Sequence, residues 1–153
     1  MAAPRIYLDA NVFIAGFESL SSLAHPAQNL LRALISKSGS AVTSEITLAE
    51  LLAPVQRPQA MSSTERRMIY LNLLQRDVID LCPITRDILI KTADLRTIGN
   101  YKLADAIHVV TAIEAGCGYF VSNDDRIKKL PPGLRRIRAD RAGVDELLVA
   151  LSQ

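Results

Sequence analysis

Apolar positions along this chain alternate between short unbroken runs and stretches of helical spacing, from the first residues to the last. Arg5-Ile6-Tyr7-Leu8 is a short apolar run that ends at Asp9 and suits a strand buried on both faces. Asp9-Ala10-Asn11 then leads into a short helix over Val12–Ala15. Between His25 and Lys37, Leu30, Leu31, Leu34 and Ile35 recur at helical spacing, and Gly39 closes that helix. Ser40–Ser44 reads as a second strand. Glu45–Leu52 reads as a helix stopped before Pro54, with Ile46, Ala49 and Leu52 or Ala53 as its apolar stripe.

The second half repeats the scheme. Pro54–Ala60 is a proline-containing loop, and Ser62-Ser63-Thr64-Glu65 is a capping box. The helix after it carries Met68, Leu71 and Leu74 on one side, flanked by Ile69 and Leu73. Val78–Cys82 is a third strand, and Asp80 within it suggests an edge. Thr85–Arg96 is a helix with Ile88, Leu89, Thr92 and Leu95 facing inward, ended by Gly99-Asn100. Leu103–Ala115 is another, with Leu103, Ala106, Ile107, Val110 and Ile113 as its core face. Tyr119–Val121 is a fourth strand, Leu134 and Ile137 mark a short final one, and Val144–Leu151 is a closing amphipathic helix. Strands alternating with helices predict an α/β fold around a parallel sheet.

Composition changes this picture little. At 153 residues the prior is a single domain over 1–153, and 49% apolar content is ordinary for a globular chain. A formal charge of +2 is too weak to argue for nucleic acid by itself. Cys82 and Cys117 both fall in predicted strands and read as buried structural thiols, and no Cys/His set has zinc spacing. The N-terminal stretch lacks the pattern of a signal peptide, and nothing approaches the roughly 18 apolar residues of a membrane span. A soluble cytoplasmic protein is the expectation.

The placement of the acids is more informative. Asp9 follows the first strand, Glu50 sits on the helix after the second, Asp105 opens the helix before the fourth, and Asp124 and Asp125 follow that strand. Strand ends and helix starts share one rim of a doubly wound sheet, where sites form. Each acid also has a plainer reading. Asp9 suits a helix cap, Glu50 a solvated helix edge, and Glu45 a partner for the helix dipole. His108 lies at i+3 from Asp105 and reads first as a satisfied, partly buried histidine, with metal ligation the weaker alternative. His25 before Pro26 suits a surface or capping position. If Asp9, Glu50, Asp105 and Asp124 converge, their charges conflict unless some are protonated or a cation binds. All-oxygen ligation favours Mg²⁺ or Mn²⁺, which suits phosphodiester hydrolysis. No Gly-rich phosphate loop is present. A basic run (Lys128, Lys129, Arg135, Arg136, Arg138 and Arg141) is either a solvated face or a phosphate or partner contact, with Arg135 and Arg136 the candidates.

Four stretches carry a family resemblance: IYLDANVFI at Ile6–Ile14, VTSEITLAELL at Val42–Leu52, KLADAIHVVTA at Lys102–Ala112 and FVSND at Phe120–Asp124. In order and spacing they resemble the PIN-domain family, and within it the VapC-like toxin ribonucleases. The resemblance implies a three-layer α/β domain with a central parallel sheet of four to five strands flanked by helices. It implies an Mg²⁺- or Mn²⁺-dependent endoribonuclease, the toxin of a type II toxin–antitoxin system, leaving a 5′-phosphate and a 3′-hydroxyl. Asp9, Glu50, Asp105 and Asp124 match the family's acidic positions. Asp9 and Asp105 are the leading metal ligands, while Glu50 and Asp124 act directly or through water. Asn11 matches a residue supporting the first acid, and Ser122 the hydroxyl near the last. A homodimer and a cognate antitoxin that blocks the site are also implied. Ala10 departs from the usual Ser or Thr, and Asp125 doubles the last acid, which leaves Asp124 preferred by motif position.

Two rivals remain. An aspartyl phosphatase of the haloacid-dehalogenase type would use Asp9 as nucleophile, with Lys128 near the distal acids, but that fold wants a second Asp where Asn11 stands. A catalytically inactive PIN scaffold would bind RNA or protein through the Arg135–Arg141 region.

Overall fold

The computed structural model describes residues 2–18, 24–53 and 61–153. In chain order these form β1 (Ile6–Leu8), α1 (Ala10–Phe17), α2 (Ala24–Ser36), β2 (Ala41–Ser44), α3 (Ile46–Leu52) and α4 (Ser63–Gln75). Then follow β3 (Ile79–Cys82), α5 (Arg86–Ile98), α6 (Leu103–Glu114), β4 (Tyr119–Val121), β5 (Arg135–Ile137) and α7 (Arg141–Leu151). The loop expected over Pro54–Ala60 lies outside the described residues.

The five strands form one parallel sheet in the order β3-β2-β1-β4-β5, as the alternating pattern predicts. β1 is central, with Ile6 registered on Ala41 of β2 and on Tyr119 of β4. Its three residues are fully buried and divide between two cores. Ile6 and Leu8 pack with α1, α2, α4 and α7, while Tyr7 packs with α5 and α6 on the opposite face. Three layers follow directly from that period-two alternation. The chain leaves β1 toward β2, then returns to β4 on the other side, so the strand order reverses between β1 and β4. Open parallel sheets form their crevice at such a switch point, beyond the carboxyl ends of the strands.

Several helices are buried on faces other than those predicted. On α4, Met68 is exposed and the buried side is Arg66, Tyr70, Leu73 and Leu74. A buried arginine with its own partner masks the apolar stripe there. On α3, Ala49 is exposed and Thr47 and Leu51 are buried, because Thr47 hydrogen-bonds Thr43 at 2.7 Å beneath the helix. On α5, Ile88, Thr92 and Leu95 face inward as expected, but Leu89 is exposed. On α6, Leu103 and Ile113 are exposed at the two ends, and every residue from Asp105 to Ala112 is buried. Cys82 closes β3, but Cys117 precedes β4 rather than lying in it, and both thiols are free. Burial pushes the Cys117 thiol up to about 12.

The capping signals are met. Ser62 and Glu65 form the reciprocal box at α4, and Thr85 accepts from Ile88 N–H at α5. Asp140 caps α7 by accepting from Gly143 N–H at 2.8 Å. A Cβ on Gly143 would lie 2.0 Å from the Arg138 carbonyl oxygen, a backbone atom that cannot rotate away. Gly143→Ala is therefore expected to lower stability by roughly 2 kcal/mol, read as a lower denaturant midpoint at unchanged slope.

Candidate metal centre

At the carboxyl end of β1 the backbone is held to its neighbours before any side chain is considered. Asp9 N–H donates to Val121 O at 3.0 Å, and Ser122 N–H donates to Ile137 O at 3.0 Å. These bonds align the residues just past β1 and β4. The Asp9 carboxylate, 5% exposed, is then fixed from three directions. Its Oδ1 accepts from Ala10 N–H at 2.8 Å, and its Oδ2 accepts from Asn11 Nδ2 at 3.0 Å and Ser122 Oγ at 2.8 Å. The cap reading and the site reading of Asp9 are thus compatible, since one oxygen caps α1. Asn11 Oδ1 accepts from Asn123 N–H and Ser122 Oγ accepts from Asp124 N–H, tying both support residues into the turn after β4.

Glu50 arrives on α3. That helix is anchored at its start by Thr47 to Thr43, whose hydroxyl donates to Leu8 O at 2.8 Å. At its end Arg66 donates to Ala53 O at 2.9 Å. So fixed, Glu50 Oε2 lies 2.7 Å from His108 Nε2, which also lies 3.4 Å from Asp9 Oδ1. One ligand atom from each of Asp9, Glu50 and His108 falls within 4.8 Å of the others. His108 is fully buried, not partly so. Its Nδ1 meets Tyr7 Oη at 2.6 Å, and Tyr7 is stacked on Phe120 at 5.1 Å. The carboxylates facing Nε2 can only accept, which places the imidazole proton on Nε2 and leaves Nδ1 to accept from the Tyr7 hydroxyl. In that tautomer His108 bridges two carboxylates, and the donors facing the rim are oxygens. Burial, the strongest influence on His108, lowers its pKa, but Glu50, Asp9 and Asp105 outweigh it and the balance is upward.

Asp105 lies in the first turn of α6 and is buried. Burial chiefly raises its pKa. Arg126 and His108 lower it, Asp9 and Asp124 raise it, and the net direction is up. The structure brings Asp9, Glu50 and His108 into one tight group; Asp105 and Asp124 lie outside it, Asp105 feeling the charges of Asp9, Asp124 and His108. Asp124 is turned toward Arg126: Nε donates to its two oxygens at 3.0 and 2.9 Å, and Arg126 N–H adds a third bond at 2.9 Å. That guanidinium holds the Asp124 carboxyl below the usual range. Asp125 is exposed and pairs instead with Arg136 and Arg138. Arg136 also donates to Asp124 O at 2.9 Å, bracing the turn, and Arg135 pairs with Glu146. Neither the engagement of both His108 nitrogens nor Arg126 was visible from spacing. The closest signal was the Asp-Asp-Arg run at 124–126.

Asp9, Glu50 and His108 could together hold a metal ion. The raised Asp105 gives a direct check without metal. A carboxylate with a raised folded pKa lends its full stability only below its ordinary pKa and loses it as pH rises through the raised value. In EDTA at neutral pH, Asp105→Asn is expected to leave the melting temperature unchanged or higher. A drop of several degrees would mark Asp105 as a structural cap.

The PIN domain family model matches residues 6–131. No curated protein matches the chain. A chain of the toxin–antitoxin complex from Klebsiella pneumoniae superposes with a TM-score of 0.61 at 20% identity, over 84% of this chain and 94% of its own. VapBC2 from Rickettsia felis, bound to a promoter DNA fragment, gives 0.65 at 19% identity over 87% and 97%. DNA-bound VapBC from Salmonella typhimurium gives 0.65 at 15% identity over 89% and 98%. At these identities the likeness is one of fold. The family match is what tells against an aspartyl phosphatase built on Asp9. It runs from the first residue of β1 to the segment before β5 and takes in all four rim acids, and on that extent the chain belongs to the PIN domain family.

Proposed function

We propose that this chain is an Mg²⁺- or Mn²⁺-dependent endoribonuclease and the toxin of a type II toxin–antitoxin pair, acting in the cytoplasm. The observation that carries the reading is the tight group of Asp9, Glu50 and His108 past the carboxyl end of β1, with Asp105 under the charges of Asp9 and His108. Asp9 and Asp105 are the ligands, and Glu50 and Asp124 complete the set directly or through water. A bound Mg²⁺ or Mn²⁺ would supply a water acidified toward neutral pH and a Lewis-acid contact for a phosphate oxygen. The chain's own residues supply the positioning. Asn11, Ser122 and Ala10 N–H fix both Asp9 oxygens, so the carboxylate does not reorganise on loading. His108 Nε2–H holds Glu50 against Asp9. Arg136 braces the turn that presents Asp124.

The antitoxin partner is supported by the toxin–antitoxin complexes among the structures of the same fold. Exposed Ile98, Leu103 and Ile113 on α5 and α6 support a protein contact there, and we assign it to a homodimer. Among the described residues no helix is long and apolar enough to cross a membrane. The test is incubation of the purified protein with structured RNA and Mg²⁺ or Mn²⁺. Cleavage to 5′-phosphate ends, stopped by EDTA, is expected. Binding without cleavage in either metal would point to the inactive scaffold instead.

A further inference from the structure

Two cations of the chain act on Asp124 at the acidic rim, Arg126 through hydrogen bonds and Lys102 through its charge. Arg126 Nε reaches both oxygens of Asp124, its Nη2 reaches Oδ2, and its own N–H reaches Oδ1. The charge of Arg126 also acts on Asp105 and Asp9. Its side chain is 57% exposed while that of Asp124 is 19% exposed. The fork therefore covers a carboxylate at the site from the solvent side. A forked guanidinium uses the same lone pairs that a hard cation needs, so the two cannot share both oxygens of one carboxylate. Two nearby arginines are differently engaged. Arg138 is held by Asp125, and Arg136 by Asp125 and the Asp124 carbonyl.

We propose that Arg126 serves as internal counter-ion to Asp124 when no metal is bound, that a divalent cation displaces it from Asp124, and that the released guanidinium takes an RNA phosphate. This rests on the metal site proposed above. The exchange conserves contacts, because Arg126 leaves one forked oxyanion for another as the cation takes its place. No covalent step is involved. It also makes RNA binding conditional on metal: without the cation, Arg126 stays on Asp124.

Mn²⁺ binding to the full chain, followed by calorimetry or by the electron-spin signal of free Mn²⁺, tests the first half without reference to activity. Arg126→Gln is expected to tighten Mn²⁺ binding about fivefold, the scale of a half-exposed ion pair. Arg126→Lys keeps the charge but loses the fork, and is expected to fall between Gln and the parent. Arg138→Gln removes an equal charge from Asp125 and is expected to match the parent. If Arg126→Lys binds like the parent, or Arg138→Gln tightens as much as Arg126→Gln, the effect is a general field and the fork claim fails. If the parent binds no Mn²⁺, the metal site itself fails. For the second half, Arg126→Gln in saturating Mn²⁺ is expected to raise KM for RNA about fivefold with kcat little changed. An unchanged KM would overturn the phosphate contact while leaving the metal site standing.

Discussion

Replacing Asp9 with Asn is expected to lower metal-dependent RNA cleavage by about 10²-fold or more while leaving the chain folded. The loss follows from position. Asp9 closes the central strand, lies beside Glu50 and His108, and acts electrostatically on Asp105. It is the acid through which the others are connected. Folding survives because the amide oxygen can still accept from Ala10 N–H and cap α1. The amide nitrogen then faces Ser122, whose hydroxyl oxygen already accepts from Asn11 Nδ2 and Asp124 N–H, and Asn11, which becomes a donor facing a donor. That mismatch costs about 1 kcal/mol, partly offset by one less negative charge on the rim. Cleavage rate and melting temperature should be measured on the same preparation. A parent-like rate would remove Asp9 from the site, and an unfolded variant would make it structural first.

Arg66→Ala is expected to cost about 3 kcal/mol or more of stability, the largest single loss anticipated outside the sheet. The side chains of Arg66 and Glu18 are only 4% and 3% exposed. Arg66 Nε donates to Glu18 at 3.2 Å, its Nη1 donates to Ala53 O at 2.9 Å, and Tyr70 Oη donates to Glu18 at 2.6 Å. One guanidinium thus joins the end of α1, the end of α3 and the first turn of α4. Truncating it leaves the Glu18 carboxylate buried with its charge less well compensated, whereas Arg66→Met with Glu18→Gln should recover much of the loss. Because α3 carries Glu50, the single variant is also expected to weaken Mn²⁺ binding beyond its effect on melting. Chemical denaturation of the two variants checks this. Equal midpoints for parent and Arg66→Ala would show that the pair contributes nothing net.

What was legible in the sequence divides along the same physical lines. Strand ends were legible because buried parallel strands are continuous apolar runs, so Asp9 after Leu8 and Ser122 after Val121 mark their carboxyl ends. Topology alone put Asp9 and Glu50 at one rim, where they lie together with His108. Helix faces were less legible. The core face of α6 could not be picked out by period because every residue from Asp105 to Ala112 is buried. The α4 face was misread because Arg66, a residue usually found in water, is buried by a partner 48 positions away. The partners of His108 and Arg126 were not legible for the same reason. Their roles depend on side-chain partners, Tyr7 and Glu50 for one and a turn conformation for the other, that no spacing encodes.

The central claim is that the rim formed by Asp9, Glu50, Asp105 and Asp124 binds a hard divalent cation. Anomalous diffraction from crystals soaked in Mn²⁺ tests it most directly. A strong Mn²⁺ peak among those four carboxylates, absent from Asp9→Asn crystals, is the expected result. A metal bound elsewhere, or an empty rim at Mn²⁺ concentrations that support RNA cleavage, would contradict it.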